Sequence, residues 1–173
     1  QANADDFGFI HYSRLIFPAS DKNFVRLREQ SGHDDTLTLS GNGQKVHIVA
    51  RRIHPKRSDF SGISKDKYTA RLYQGKPFYG MDSMISKSVF ALERITLNGQ
   101  AVPAAELQGL FSPDFASTAR GSNVYQGWEA YYRRSDKTLY LFGRQGSDGA
   151  PFDVCFIFKD GKFQRRYLWD AAI

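Results

Sequence analysis

Alternation of apolar and polar residues dominates the C-terminal part of the chain and predicts a β-hairpin there. Two aromatic-rich runs, 152–159 and 162–169, flank the dipeptide Asp160-Gly161. Aspartate and glycine both tolerate the positive φ angles of a two-residue hairpin turn. In a regular register, one face of this hairpin is apolar apart from Arg165 and is expected to point to the core. That face would carry Phe152, Val154, Phe156, Phe158, Phe163, Tyr167 and Trp169.

Similar alternation upstream predicts further antiparallel strands. The runs 36–40 and 45–50 flank a glycine-containing loop, and the run 88–97 ends at Asn98-Gly99, which is also a hairpin signal. The runs 124–134 and 138–144 are predicted to form a hairpin that joins the C-terminal one in a continuous meander. A first strand is expected over 7–17. The stretch 21–32 fits either a short helix or a strand, because both periodicities are present.

Helical signals are few. Pro103 suits the first position of a helix, so a short helix over 104–111 is expected to turn Leu107, Leu110 and Phe111 towards the core. We therefore predict a mainly β fold (α+β at most) with one or two short helices. Its sheet would be an antiparallel meander, either curled or packed as a two-layer sandwich. The length of 173 residues indicates a single domain, 1–173, in which 1–6 is expected to be a flexible N-terminal segment.

The positive charge of the chain is concentrated in residues 51–76, hereafter the basic segment. This segment holds eight lysines and arginines and only two acidic residues, and the resulting +6 equals the net charge of the whole chain. One interpretation is a docking surface for an acidic partner. The other is a solvated loop and edge strand, in which lysines prevent edge-to-edge aggregation. The sequence leaves both open.

A second group of interface-type residues lies in the predicted strand 124–134. With a period of two, Trp128 and Tyr132 face one way, whereas Tyr125 and Tyr131 face the other. One set should be in the core. The other set is either exposed beside Arg133 and Arg134 or covered by a second layer, and the sequence leaves both open. Tyrosine, tryptophan and arginine dominate the energetics of protein interfaces.

Signatures of catalysis or metal binding are missing from the sequence. The four histidines (His11, His33, His47 and His54) form no tight ligand pair, and neither G-x-S-x-G nor a phosphate-binding glycine loop occurs. Cys155, the single cysteine, lies in a predicted strand and is expected to be a small buried hydrophobe. We therefore predict no cofactor and no metal, and we favour a protein that is not an enzyme.

These observations together predict a non-enzymatic binding protein, comparable to an inhibitor or immunity protein, with an acidic macromolecular partner. The alternative is a hydrolase whose active-site residues are too dispersed to recognise. An acidic protein is the favoured partner and an anionic polysaccharide is possible. Nucleic acid is disfavoured, because Phe60, Tyr68 and Tyr73 are not spaced as a stacking platform. The predicted partner-binding residues are Arg51, Arg52, Lys56, Arg57, Lys65, Lys67, Tyr131, Arg133 and Arg134.

Export to the periplasm or the extracellular space is also expected. The residues Ala2-Asn3-Ala4 resemble the A-x-A motif of a signal-peptide cleavage site. No apolar run approaches the length that a membrane span requires.

Overall fold

The computed structural model describes residues 22–33, 35–81, 87–115, 127–146 and 152–170, and it confirms the mainly antiparallel β fold. A five-stranded first sheet has the order β1 (Phe24–Arg26), β9 (Trp128–Arg133), β10 (Thr138–Gln145), β11 (Phe152–Lys159), β12 (Lys162–Asp170). A five-stranded second sheet has the order β2 (Arg28–His33), β3 (Thr36–Gly41), β4 (Gln44–Ile53), β7 (Val89–Leu97), β8 (Gln100–Ala101). A small third sheet pairs β5 (Phe60–Ser61) with β6 (Leu72–Tyr73). The predicted meander is present, since β9, β10, β11 and β12 are consecutive neighbours.

The two large sheets form the layers of a sandwich, because side chains from both enter one hydrophobic core. Val46 and Ile95 of the second sheet and Leu141 and Phe156 of the first sheet are each 0% exposed and belong to the same cluster. Every second residue of these strands points inward, as the alternation in the sequence predicts. The predicted burial of Phe156 is confirmed.

The two layers are connected on both sides of the sandwich, by a continuous stretch of chain on one side and by a helix contact on the other. On one side, β1 passes directly into β2 through Leu27, whose N–H donates to the carbonyl of Ala130 over 2.8 Å. On the other side, α1 (Ala104–Leu107) follows β8 and contacts β12 through Glu106. The guanidinium of Arg166 donates to the Glu106 carbonyl and lies 3.7 Å from its carboxylate. Within the described ranges, no helix has the length and apolar character needed to cross a membrane.

Several predicted boundaries require correction. The ambiguous stretch after position 21 is strand, split between β1 and β2. The predicted helix over 104–111 is wrong beyond its first turn: Gln108 is already extended, and Gly109 follows with a left-handed φ of 82°. Leu110 and Phe111 are nevertheless buried, as expected, through an extended segment that runs beside β7. The strand predicted over 7–17 and the segment 1–6 lie outside the described residues.

The C-terminal hairpin is confirmed, but its predicted apolar face is wrong on β12. Asp160 and Gly161 form the turn with φ angles of 50° and 77°. Phe158 pairs with Phe163 as predicted, and a bulge then shifts the register. A bulge adds one residue to one strand, so every later side chain of that strand changes face. Tyr167 and Trp169 therefore point outward, 48% and 41% exposed, as does Arg165; the inward positions belong to Arg166 and Leu168.

Candidate partner-binding surface

The basic segment has little regular structure, yet a second small core holds its backbone in place. Phe60 of β5 contacts Tyr73 of β6 with ring centroids 5.3 Å apart, and Tyr73 contacts Phe111 at 5.1 Å. Val89 of β7, Ala70 and Met81 complete this cluster, and Ile53, at the end of β4, packs against it. The segment is thus attached to the end of the second sheet through its apolar side chains.

All eight cationic side chains of the basic segment point to solvent. Arg51 pairs with Glu93, with 3.6 Å between Nε and Oε1. None of the other seven forms an ion pair with a carboxylate in the described part of the chain. The exposed cations are Arg51, Arg52, Lys56, Arg57, Lys65, Lys67, Arg71 and Lys76.

The two acidic residues of the segment stabilise its backbone and do not neutralise its cations. Asp59 accepts a hydrogen bond of 2.7 Å from the backbone N–H of Lys56. Asp66 accepts one from the Ser64 hydroxyl and another, of 3.0 Å, from the backbone N–H of Tyr68. These bonds, the serine's above all, lower the pKa of Asp66, so this carboxylate stays ionised while it shapes the loop. Seven of the eight cations therefore have no carboxylate partner among the described residues.

A closed loop at residues 64–69 presents Tyr68 at the surface. The backbone N–H of Ser64 donates to the Thr69 carbonyl over 3.0 Å, and the Thr69 N–H donates to the Ser64 hydroxyl over 3.2 Å. Tyr68 is 70% exposed, and the exposed Lys65 and Lys67 precede it in the same loop. Sequence reasoning did not select Tyr68. Its signal was Asp66 two positions earlier, a spacing at which aspartate stabilises a tight turn.

The other predicted interface residues have partners inside the first sheet. Tyr131 is only 5% exposed, which corrects the expectation of an accessible ring, and its hydroxyl donates to Glu129 over 2.6 Å. Burial, more than this bond, raises the pKa of Tyr131. Arg133 donates to Asp136 over 2.9 Å and lies over the rings of Phe24 and Tyr140. The bond from Arg133 lowers the pKa of Asp136 to about 2.

Arg134 is exposed but lies far from the basic segment. Its Nε donates to Asn42 over 3.0 Å, at the turn that precedes β4. Arg51 and Arg52 lie at the opposite end of that ten-residue strand, which spans about 30 Å at the usual rise per residue. The predicted cations of 51–67 are therefore exposed on one segment of the chain, while Tyr131, Arg133 and Arg134 lie elsewhere.

The described residues offer little to the alternative of a hydrolase. Burial raises the pKa of the Cys155 thiol to about 12, and this side chain is 5% exposed, as expected for a structural cysteine. His47 lies 3.0 Å from the Thr38 hydroxyl, in a shallow pocket that no described carboxylate lines. No three metal-ligating side chains converge among the described residues.

No family model matches the chain, and comparisons with curated proteins and with solved structures gave no match.

Proposed function

We propose that the protein is a non-enzymatic binding protein that docks onto an acidic surface of another protein through its basic segment. The observation that supports this proposal best is that seven exposed cations have no carboxylate partner in the described part of the chain. Such cations meet a partner's carboxylates without first breaking internal ion pairs. Complementary charge of this kind accelerates encounter and suppresses wrong partners.

Protection of a sheet edge explains these cations less well. Lysines that prevent aggregation lie on the edge strands themselves. The third sheet has only two-residue strands, Phe60–Ser61 and Leu72–Tyr73, and neither contains a lysine or an arginine. Most of the cations lie in the connecting loops, where no edge needs protection. The docking interpretation is therefore favoured.

A protein partner is favoured over an anionic polysaccharide because of Tyr68. An exposed tyrosine on a closed loop is a typical hot-spot residue, since it offers a large rigid contact area at low entropic cost. Lys65 and Lys67 would form the charged rim around it. In this arrangement the ring enters a pocket on the partner and sets the dissociation rate, while the lysines set the association rate.

The test is affinity capture from the native extract with a charge-reversed variant. The variant carries Lys56→Glu, Arg57→Glu, Lys65→Glu and Lys67→Glu. A matched control reverses three exposed lysines and one exposed arginine elsewhere: Lys22, Lys45, Arg94 and Lys159. We expect the parent protein and the control to retain the same acidic protein and the variant to lose it. Unfolding curves of both variants verify that the fold is intact.

Two outcomes would contradict the proposal. Equal capture by the variant and the parent would show that the basic segment is only a solvated loop. Retention on immobilised heparin that depends on the same four residues, without capture of any protein, would assign the surface to an anionic polysaccharide.

A further inference from the structure

Strand β12 is an edge strand of the first sheet in the part of the chain that the structure describes. It is the last strand in the sheet order, and its pairing partner is β11. No backbone hydrogen bond joins its nine residues to any other part of the described chain. The bulge interrupts its first part, but 165–170 pairs with 152–157 in regular register. An edge strand in regular register is a template for another strand.

The outward face of this edge carries an unusual row of side chains. Tyr167 and Trp169 are two of the three large hydrophobic side chains that are exposed in the described chain. Arg165 belongs to the same row, and its guanidinium donates to the Tyr167 hydroxyl over 3.0 Å. Aromatic residues and arginine are enriched at the centres of protein interfaces.

We propose that a second copy of this chain pairs with β12 in antiparallel orientation, so that the two first sheets become one continuous sheet. A two-fold interface is self-complementary: if one residue contacts another, the reverse contact is also made. With Tyr167 on the two-fold axis, Arg165 of each copy lies opposite Trp169 of the other. Residues that face each other across an antiparallel pair lie on the same side of the sheet and within contact distance. The pairing therefore creates two symmetric cation–π contacts.

Alternative registers are less favourable. Placing the axis at Arg165 or at Arg166 puts an arginine opposite its own copy, and like charges in this position are destabilising. A two-fold axis midway between two residues would place outward side chains opposite inward ones, which a pleated sheet does not allow. Placing the axis at Leu168 sets Arg165 opposite position 171, beyond the end of β12. Only the register centred on Tyr167 uses the whole exposed row.

This inference does not depend on the proposed function, because β12 belongs to the first sheet and the basic segment is attached to the second. The two properties would nevertheless act together. A dimer presents two basic segments, and linked binding sites raise the apparent affinity for a partner with two acidic surfaces.

The test is sedimentation velocity over a wide range of protein concentration, with charge variants at Trp169. Trp169→Arg places two arginine pairs across the interface, and we expect it to raise the dimer Kd by about tenfold, since each symmetric repulsion counts twice. Trp169→Glu places a carboxylate opposite Arg165, and dimerisation should be retained. The double variant Arg165→Glu with Trp169→Arg restores opposite charges and should recover the dimer.

A parent protein that stays monomeric at the highest concentration would overturn the proposal, even if an added acidic peptide bound to the edge. Equal effects of Trp169→Arg and Trp169→Glu, or no recovery in the double variant, would also overturn the register. If Trp169→Arg did not fold, Tyr167→Lys would serve instead, because it places two lysines opposite each other on the axis. That variant should also raise the dimer Kd, and a dimer as stable as the parent's would contradict the register.

Discussion

At position 143, packing alone explains why the residue is glycine. It pairs with Trp128 on the adjacent strand, and a Cβ atom at position 143 would lie 2.6 Å from three atoms of the indole ring. Trp128 is itself 5% exposed and stacks on Phe156 with ring planes 17° apart. The ring therefore has little space into which it could move.

We expect Gly143→Ala to lower the free energy of unfolding by about 1–3 kcal/mol, the usual cost of overpacking a core. Urea denaturation measures this change. Gly41→Ala is a suitable control, because its Cβ would lie 3.5 Å from the nearest atom, an ordinary contact distance. If both variants were as stable as the parent, the indole would not occupy the space beside position 143.

At the residue scale, burial within strands could be predicted from alternation, whereas individual partners could not. Phe156 is fully buried, as its place in the pattern indicates. Tyr131 lies on the opposite side of its sheet and was expected to be exposed, but it is buried and bonded to Glu129. The glutamate two positions earlier on the same face was the available signal. Nothing in the local sequence indicates that Gly143 makes room for an indole on the neighbouring strand.

Among the secondary-structure elements, the tight turns are the most firmly determined. Asp160 and Gly161 both adopt left-handed φ angles, and no atom lies within 4 Å of a Cβ built on Gly161. A substitution there acts through backbone conformation and not through a clash. We expect Gly161→Val to destabilise the protein by about 1–2 kcal/mol, because β-branched residues strongly disfavour this region.

Thermal unfolding of Gly161→Val and Gly161→Asn checks this prediction. Asparagine tolerates the left-handed region, so its variant should lie much closer to the parent. Equal midpoints for the valine and asparagine variants would mean that the turn residue carries no conformational strain.

Hairpins could be predicted because their sequence signal lies in the turn residues themselves. The errors arose at features that have no such local signal. Asn98-Gly99 and Asp160-Gly161 specify their turns through the residues of the turn itself. The bulge in β12 has no such signature, since Gln164 could equally well be an ordinary strand residue. That one extra residue exchanged the predicted positions of Tyr167 and Leu168. The predicted helix was likewise too long, because the chain leaves the helical conformation at Gln108 and turns at the left-handed Gly109.

For the whole molecule, fold class could be predicted but topology could not. β1 pairs with β9, about a hundred residues further along the chain, and no local pattern encodes that contact. The charge count singled out residues 51–76, whose eight cationic side chains are exposed. It did not show that Asp59 and Asp66 are committed to backbone hydrogen bonds, nor that Arg134 lies at the far end of β4.

The central claim, that the basic segment steers the protein to an acidic partner, is tested most directly by association kinetics with the captured partner at several salt concentrations. We predict that reversing Lys56, Arg57, Lys65 and Lys67 slows association by at least about tenfold at low salt and flattens its salt dependence. The control reversal of Lys22, Lys45, Arg94 and Lys159 should keep a clearly faster, salt-dependent association, although both variants change the net charge equally. An association rate that is the same for the parent and the first variant at low salt would contradict the account.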